Sequence, residues 1–270
     1  MKKVTPKAHD HDTLGRFREV ISDPNNVRIP RVHDAGVPAK DPRFSDHYVP
    51  MHNGIKVLIG VDSGYYGDFS QLLLINRGVH EPQEEYAFMK IMEHVNPDLP
   101  MLELGAYWGF YSLWYKKECP SADVYLMEPD KNNLRVGMKN FELNGEKATF
   151  INDLIGDGGM DVNDFMASNE IEKLGILHAD IQGAEMHLLE AISDSMDQKR
   201  FEVIFISTHS QDLHIQCLNK LEQHGYKIIC HADFDNETFC ADGIIVACVP
   251  EKDIEPFDIY SRSKHSIDSF

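Results

Sequence analysis

The sequence predicts an α/β fold built on a mostly parallel sheet that ends in an antiparallel hairpin. Apolar runs of strand length alternate with longer amphipathic segments from Met101 onward, which is the pattern of a parallel sheet with helices on both faces. The run 101–112 joins a short apolar strand, a glycine turn and the start of a helix. The last two predicted strands are separated by a turn-rich stretch too short for a crossover helix, so they form a hairpin.

The elements follow in chain order. Residues 1 to about 50 are polar and rich in proline, which is typical of an irregular arm. The apolar runs 55–59 and 69–75 predict a small β-rich unit or hairpin before the main sheet, and 84–95 has helical spacing. The predicted strands of the main sheet are 101–104, 123–127, 148–151, 175–180, 202–207, 227–231 and 243–249. The predicted helices between them are 109–118, 130–143, 161–171, 184–194 and 211–224.

These elements divide the chain into three parts. Residues 1–76 form an N-terminal arm and small β-rich extension or cap. Residues 77–250 form the main domain, and the polar tail 251–270 is expected to fray.

Composition excludes several functional classes. The 270 residues carry a formal net charge of -18, which argues against binding a phosphate backbone, because that requires clustered Lys and Arg. The five cysteines are odd in number and lack a C-x-x-C pair, which favours a reducing compartment. No segment approaches the roughly 20 apolar residues of a membrane span. We therefore expect a cytoplasmic protein.

The run 101–112 carries the strongest local signal. Glu103 lies at the end of the predicted strand, and Gly105 and Gly109 flank the turn before the helix. Such a turn lets the backbone pass close to an adenosine-type cofactor and places helix N–H groups beside it. Glu128 follows the next strand, where nucleotide-binding folds have a ribose-binding carboxylate. The alternative reading is that the glycines only allow close packing and Glu128 caps a helix.

The turn is not the G-x-G-x-x-G of nicotinamide enzymes. Tyr107 lies where that motif has its second glycine, and the glycine is what lets a pyrophosphate approach the backbone. A cofactor without phosphate is tolerated there, and S-adenosylmethionine (SAM) is such a cofactor. Its charged amino-acid end needs a carboxylate and backbone groups, and Glu103 fits that requirement.

Further candidate residues follow the other predicted strands. Pro129 and Asp153 come after the second and third strands, Asp180 ends the fourth, and His209 follows the fifth. Ligands of open parallel sheets bind beyond the carboxyl ends of the strands, so we expect these residues to converge. Glu81 precedes the first helix of the main domain and is a candidate either to close over the cofactor or to cap that helix.

Four stretches resemble the FkbM-type SAM-dependent methyltransferases, and the similarity extends over about residues 78–250. The resemblance implies a class I methyltransferase fold, Rossmann-like, with seven strands of which the last is antiparallel. It also implies that Glu128 binds the ribose hydroxyls, and that family members methylate oxygens of sugars or small natural products. The four stretches are 81–84, 102–112, 125–130 and 178–185, the last reading His-Ala-Asp-Ile-Gln-Gly-Ala-Glu. The residues implied to hold SAM are Glu103, Gly105, Ala106, Gly109 and Glu128. The candidate cofactor-binding set is completed by Glu81 before the first helix, Tyr107 in the turn, and Pro129, Asp153 and Asp180 at strand ends.

Methyl transfer to a hydroxyl requires the acceptor oxygen about 3–3.5 Å from the methyl carbon and a group that takes the proton. His209 is the candidate general base. Asp180 is its candidate partner, because the fourth and fifth strands are neighbours in the class I order. The alternative is a divalent metal held by Asp180, His209 and either Glu185 or His214. We do not favour it, because Mg²⁺ prefers oxygen ligands and a histidine indicates a softer metal or none.

The predicted function is that of a SAM-dependent O-methyltransferase, of the EC 2.1.1 class, acting on a hydroxylated small molecule such as a sugar or glycan. One alternative is an NAD-dependent oxidoreductase of doubly wound fold, which Tyr107 and the terminal hairpin disfavour. Another is a non-catalytic SAM-fold binding module, which Glu103, Glu128 and Asp180 disfavour. The expected partner is the small-molecule or sugar substrate, with neither nucleic acid nor membrane, and a homo-oligomer is left open.

Overall fold

The computed structural model describes residues 13–60, 70–156, 158–239 and 242–262. A small antiparallel sheet comes first and a seven-stranded sheet follows. The small sheet consists of β1 (Ala39–Lys40), β2 (His47–Pro50) and β3 (Lys56–Ile59). The main sheet consists of β4 (Met101–Leu104), β5 (Val124–Met127), β6 (Thr149–Ile151), β7 (Leu174–Ala179), β8 (Phe201–Thr208), β9 (Lys227–Ala232) and β10 (Gly243–Cys248).

Helices cover both faces of the main sheet, and a 3-10 turn spans Pro24–Arg28. The segment predicted as one helix over 184–194 is divided into two, α7 and α8. The helices are α1 (Thr13–Ser22), α2 (Ser70–Ile75), α3 (Pro82–Met92), α4 (Phe110–Glu118), α5 (Lys131–Asn144), α6 (Val162–Ser168), α7 (Glu185–Ala191), α8 (Ser193–Asp197) and α9 (Gln211–Gln223). Among the described residues, no helix combines the length and the apolar character that crossing a membrane requires.

The strand order of the main sheet is β6-β5-β4-β7-β8-β10-β9. Strands β4 to β8 pair in parallel, whereas β10 lies antiparallel to both β8 and β9. This arrangement confirms the predicted class I methyltransferase fold and its terminal hairpin. From β4 the chain adds β5 and β6 on one side of the sheet, and then adds β7 on the other side of β4. Open α/β sheets bind their ligands at the point where the strand order reverses in this way.

The strands at the centre of the sheet are apolar because helices cover them on both sides. Every residue of β7 and β10 is buried, which explains why these strands appear in the sequence as continuous apolar runs rather than alternating ones. One core layer lies under α3 and α4 and includes Phe88 and Trp114. The other lies under α7 and α9 and includes Leu188 and Leu221.

The N-terminal extension is part of the first core layer. Val20, Val57 and Leu72 are fully buried there. The expected small β-rich unit exists as β1–β3, but the run expected to continue it forms helix α2 from Ser70 onward; Phe69 lies outside the described residues. A short leucine run does not distinguish strand from helix by periodicity, and leucine favours helix.

The prediction of a fraying tail is wrong for residues 251–262. Ile254 and Ile259 are buried, and the backbone of Tyr260 is hydrogen-bonded to the side chain of Asn25. These contacts tie the tail to the extension. The segment 263–270 lies outside the described residues.

Candidate active site

The glycine turn lies directly against the end of β7. Gly105 has a φ of +75°, and a Cβ on it would lie 1.8 Å from the carbonyl oxygen of Asp180. Gly109 has a φ of +74°, and a Cβ there would lie 2.7 Å from Leu126 Cδ2. Packing therefore requires glycine at both positions. This is the structural role that the sequence analysis gave as the alternative to cofactor binding. The same packing brings the turn and Asp180 into contact.

Tyr107 holds the turn onto the end of β5. Its φ of +47° lies in the left-handed region that favours glycine, so the position shares the backbone shape of the usual second glycine. The Tyr107 N–H donates to Glu128 Oε2 at 2.9 Å. The N–H groups of Gly105 and Ala106 both donate to the Met127 carbonyl at 2.9 Å. The backbone of the turn thus follows the edge at which β5 ends.

Glu128 faces the turn rather than capping α5. Asp130 caps that helix by accepting from the N–H groups of Asn132 and Asn133. The Glu128 side chain is buried, and its Oε1 accepts from the Asp130 N–H at 2.8 Å. Its oxygens already hold two backbone donors, and a carboxylate has about four lone-pair sites. The Asn133 side chain donates to Oε1 as well, at 3.4 Å. Contact of Glu128 with ribose hydroxyls, which the resemblance implies, stays a prediction.

Pro129 and Asp153 lie beyond the same edge of the sheet. Pro129 is exposed and Asp153 is partly exposed. Asp153 Oδ1 accepts from the Leu154 N–H at 2.8 Å, and the side chain of Asn152 donates to the carbonyls of Glu128 and Pro129. Their contact with a cofactor stays a prediction.

Glu103 lies behind the turn. Only 3% of it is exposed, and its Oε2 accepts from the Ser112 N–H in the first turn of α4 at 3.0 Å. Burial raises its pKa to about 7, against the opposing effects of His178 and Ser112. Glu103 therefore stabilises the start of α4, and its contact with the amino-acid end of SAM also stays a prediction.

Glu81 occupies the N-cap position of α3, but its side chain makes no capping hydrogen bond. The backbone N–H groups of His80 and Glu81 donate instead to Glu85 Oε1, at 2.7 and 3.0 Å. The Glu81 carboxylate accepts from the Tyr111 hydroxyl at 3.2 Å and lies 3.7 Å from Arg16 Nη2. Its contact with the cofactor is a prediction too.

The structure brings Asp180 and His209 together, as the order of the strands predicts. His209 Nε2 lies 3.1 Å from Asp180 Oδ1 and 3.3 Å from Asp242 Oδ1, and His209 Nδ1 lies 3.0 Å from Glu185 Oε1. Burial alone would lower the pKa of His209, but Asp180, Glu185 and Asp242 outweigh it and raise the pKa to about 10. A raised pKa disfavours the neutral imidazole that a general base requires, and the role of His209 as a general base stays a prediction.

Sequence reasoning missed Asp242. The residue pair Gly243 and Thr208 is aligned between β10 and β8, so Asp242 and His209 are the next pair beyond the strands. Burial raises the pKa of Asp242 to about 7, and the nearby Asp180 adds to the effect while His209 opposes it. Antiparallel pairing was predicted for the hairpin, but the register of β10 against β8 is not readable from local periodicity.

Glu185 lies behind the imidazole instead of beside Asp180. It is fully buried, and its Oε1 accepts from the N–H groups of Ile181 and Gly183 as well as from His209. Glu185 is therefore not placed beside Asp180 as a ligand, which is the position that the alternative metal site of the sequence analysis would require. The other proposed alternative, His214, is turned away and contacts Thr208 Oγ1 at 2.8 Å.

A second buried pair lies next to this site and was also missed. His178 Nε2 lies 2.7 Å from Glu84 Oε1, and Ser207 donates to Glu84 Oε2 at 3.3 Å. His178 precedes Asp180 by two residues, so the two share a face of the sheet. The available signal was the histidine inside an apolar strand, because a buried imidazole needs a polar partner.

The sequence matches no protein-family model, and no curated protein matches it either. Solved structures with a similar fold include precorrin-6y C5,15-methyltransferase from Geobacter metallireducens, at 16% identity and a TM-score of 0.46, covering 63% of this chain and 90% of that chain. Methyltransferase FkbM from Methylobacillus flagellatus aligns at 15% identity and a TM-score of 0.46, covering 56% and 44%. The tRNA (uracil-54, C5)-methyltransferase of Pyrococcus abyssi, solved with S-adenosyl-L-homocysteine (SAH), aligns at 14% and 0.45, covering 72% and 42%. At these identities, the likeness concerns the fold alone.

A cavity of about 540 Å³ lies elsewhere, between the extension and helices α3 and α4. Its walls include Arg31, His52, Met89 and Trp114. None of the predicted cofactor-binding or catalytic residues lines it, so it is separate from the candidate active site.

Proposed function

We propose that the chain is a SAM-dependent methyltransferase that transfers a methyl group to a hydroxyl of a small molecule, with sugars as the first acceptors to test. The proposal also includes the FkbM-type character that the sequence motifs indicate. It rests on the site of this chain, because the distant likeness to solved structures does not identify a reaction.

The observation that carries the proposal is the meeting of three strand ends at one edge of the sheet. The turn of Gly105 contacts Asp180 at the end of β7. The same turn donates through Tyr107 to Glu128 at the end of β5. A carboxylate beside a glycine turn suits a ribose, and the tyrosine side chain at the second position disfavours a pyrophosphate. Adenosine without a diphosphate fits both conditions.

The reaction needs few groups from the protein. The hydroxyl oxygen forms a bond to the methyl carbon as the bond between that carbon and sulfur breaks. The sulfur keeps the electron pair and leaves as SAH, and the hydroxyl proton passes to the Asp180 carboxylate and from there to solvent. Positioning supplies much of the rate. We propose that Asp180 and His209 face the acceptor, with the Asp180 carboxylate accepting a hydrogen bond from its hydroxyl and the His209 imidazole lying 3.1 Å from that carboxylate.

Calorimetry with SAH and NAD tests the cofactor. We expect binding of SAH and no binding of NAD. Glu128→Gln should weaken SAH binding by about 10- to 100-fold, because hydrogen bonds to a charged group contribute about 1.5–3 kcal/mol. Glu142→Gln is the control, since Glu142 is exposed on α5, and it should bind as the wild type does. Heat from NAD alone would overturn the proposal in favour of an oxidoreductase.

The acceptor end is tested by turnover. SAH formation is measured with a panel of sugars and hydroxylated small molecules. His209→Ala should lower kcat by about 100-fold, because the Asp180 carboxylate loses the group that positions it, while SAH affinity stays within about twofold. His224→Ala, whose ion pair with Asp197 lies away from the site, should retain full turnover. SAH binding without turnover on any acceptor would favour the non-catalytic module, and full turnover of His209→Ala would remove the assignment of His209.

A further inference from the structure

Three ligand-type side chains meet at the carboxyl edge of the sheet. Asp180, His209 and Asp242 each offer one atom, and the three atoms lie within 4.8 Å of one another. They come from the ends of β7 and β8 and from the residue before β10, which are adjacent positions in the sheet. His209 Nε2 lies 3.1 and 3.3 Å from the two aspartate oxygens, and each of the three residues is directly next to a strand of the main sheet.

The imidazole is aimed at the two aspartates by a carboxylate behind it. Glu185 is fully buried, and its Oε1 lies 3.0 Å from His209 Nδ1. The same oxygen accepts from the Gly183 N–H at 3.1 Å, which fixes the carboxylate in turn. Histidines that ligate metals almost always donate their second ring N–H to such a group. Glu185 therefore leaves Nε2 as the ring nitrogen that faces the aspartates.

The Nε2 atom itself is buried, and neither aspartate oxygen lies in a hydrogen-bonding direction from it. Asp180 Oδ1 accepts from the Gln182 side chain at 2.9 Å. Three carboxyl groups therefore surround a single imidazole.

We propose that Asp180, His209 and Asp242 bind a divalent transition-metal ion, with Glu185 as the positioning residue of His209. One imidazole nitrogen with two carboxylates suits Mn²⁺, Fe²⁺, Co²⁺ or Zn²⁺ better than Mg²⁺, which prefers oxygen ligands throughout. The role of the ion in catalysis rests on the proposed function: positive charge beside the acceptor oxygen would favour loss of its proton. Binding of the ion does not depend on that function.

The test uses the full chain, stripped with a chelator and dialysed, and needs neither SAM nor an acceptor. Binding of Mn²⁺ is followed by the loss of the free-ion signal in electron paramagnetic resonance, and Co²⁺ binding by its visible absorption. We expect one ion per chain. Asp242→Asn and Glu185→Gln should each weaken Mn²⁺ binding by at least about 10- to 100-fold. A loss of this size is typical when the partner that orients a metal-bound histidine is removed.

Asp235→Asn is the matched control, because Asp235 is exposed in the same loop. It should bind Mn²⁺ as the wild type does. If Asp242→Asn does not fold, as judged by circular dichroism, loss of the Co²⁺ absorption in His209→Gln decides instead. Absence of binding up to about 1 mM Mn²⁺, or equal binding by Asp242→Asn and Asp235→Asn, would overturn the proposal. SAH calorimetry on the stripped protein tests the cofactor separately, so the two failures are distinguishable.

Discussion

Gly105 determines how closely the turn approaches the end of β7. Two requirements coincide at this residue: a left-handed backbone, and no room for a Cβ beside the Asp180 carbonyl. Gly145, after α5, has nearly the same φ of +74° but has no atom within 4 Å of the site of a Cβ. The two glycines therefore separate the cost of backbone strain from the cost of close approach.

We expect Gly145→Ala to lower the free energy of unfolding by about 1 kcal/mol, which is the strain of alanine in the left-handed region. Gly105→Ala should lower it by about 3 kcal/mol or more, because steric overlap adds to the strain. It should also weaken SAH binding at least tenfold. Urea unfolding and calorimetry measure the two effects. Similar losses in both variants would mean that the contact with β7 is not tight.

At the scale of elements, α3 is joined to the extension by a buried network of histidines and glutamates. Glu85 on α3 lies 2.6 Å from His80 Nδ1 and 3.1 Å from His52 Nε2. Burial alone would lower the pKa of His80, but Glu81 and Glu85 outweigh it and raise the pKa to about 10. Burial would raise the pKa of Glu81, but His80 outweighs it and lowers that pKa to about 2.

This network predicts how stability depends on pH. The pKa of His80 is higher in the folded chain than its ordinary value of 6.5. Its contribution is therefore complete below about pH 6.5 and is lost as the pH rises toward 10. Between pH 7 and 9.5, the free energy of unfolding should fall by up to about 1.4 kcal/mol per pH unit through this group.

Urea unfolding of wild type and His80→Gln at both pH values measures this slope. His80→Gln should be less stable at pH 7 and should depend less on pH above it. His33→Gln, at an exposed position, is the control and should follow the wild type. An unchanged slope in His80→Gln would contradict the assignment of charge to this network.

At the scale of the whole molecule, the two ends of the described chain pair with each other. Asn25 is fully buried. Its side chain donates to the Tyr260 carbonyl and accepts from the Tyr260 N–H, each at 2.9 Å. The extension and the tail are therefore expected to unfold together with the main sheet.

Asn25→Ala should lower the free energy of unfolding by about 2–3 kcal/mol, because it removes both hydrogen bonds that this fully buried side chain makes to the backbone of Tyr260. The unfolding transition should remain single. Asn169→Ala is the control: that side chain also donates to a backbone carbonyl, at 2.8 Å, but it is exposed. Its loss should be below about 1 kcal/mol. Equal losses would show that the tail contributes little to stability.

The sequence predicted most of the main sheet because its signals are local. Alternating apolar runs and amphipathic segments, the turn at Gly105 and the strand-end position of Asp180 can each be recognised within a short window. The proximity of Asp180 and His209 also followed, since the resemblance supplied the order of the strands. The same windows failed for residues 70–75, where an apolar run is compatible with either strand or helix.

By itself, the sequence determined the class I fold and the position of Asp180 and His209 at the carboxyl edge of the sheet. The tertiary structure alone decided that Asp242 lies beside His209, that Glu185 lies behind it, and that the tail packs against the extension. The physical reason is that periodicity reports which face of an element is buried. Strand register and contacts between distant segments depend on how complete faces fit together.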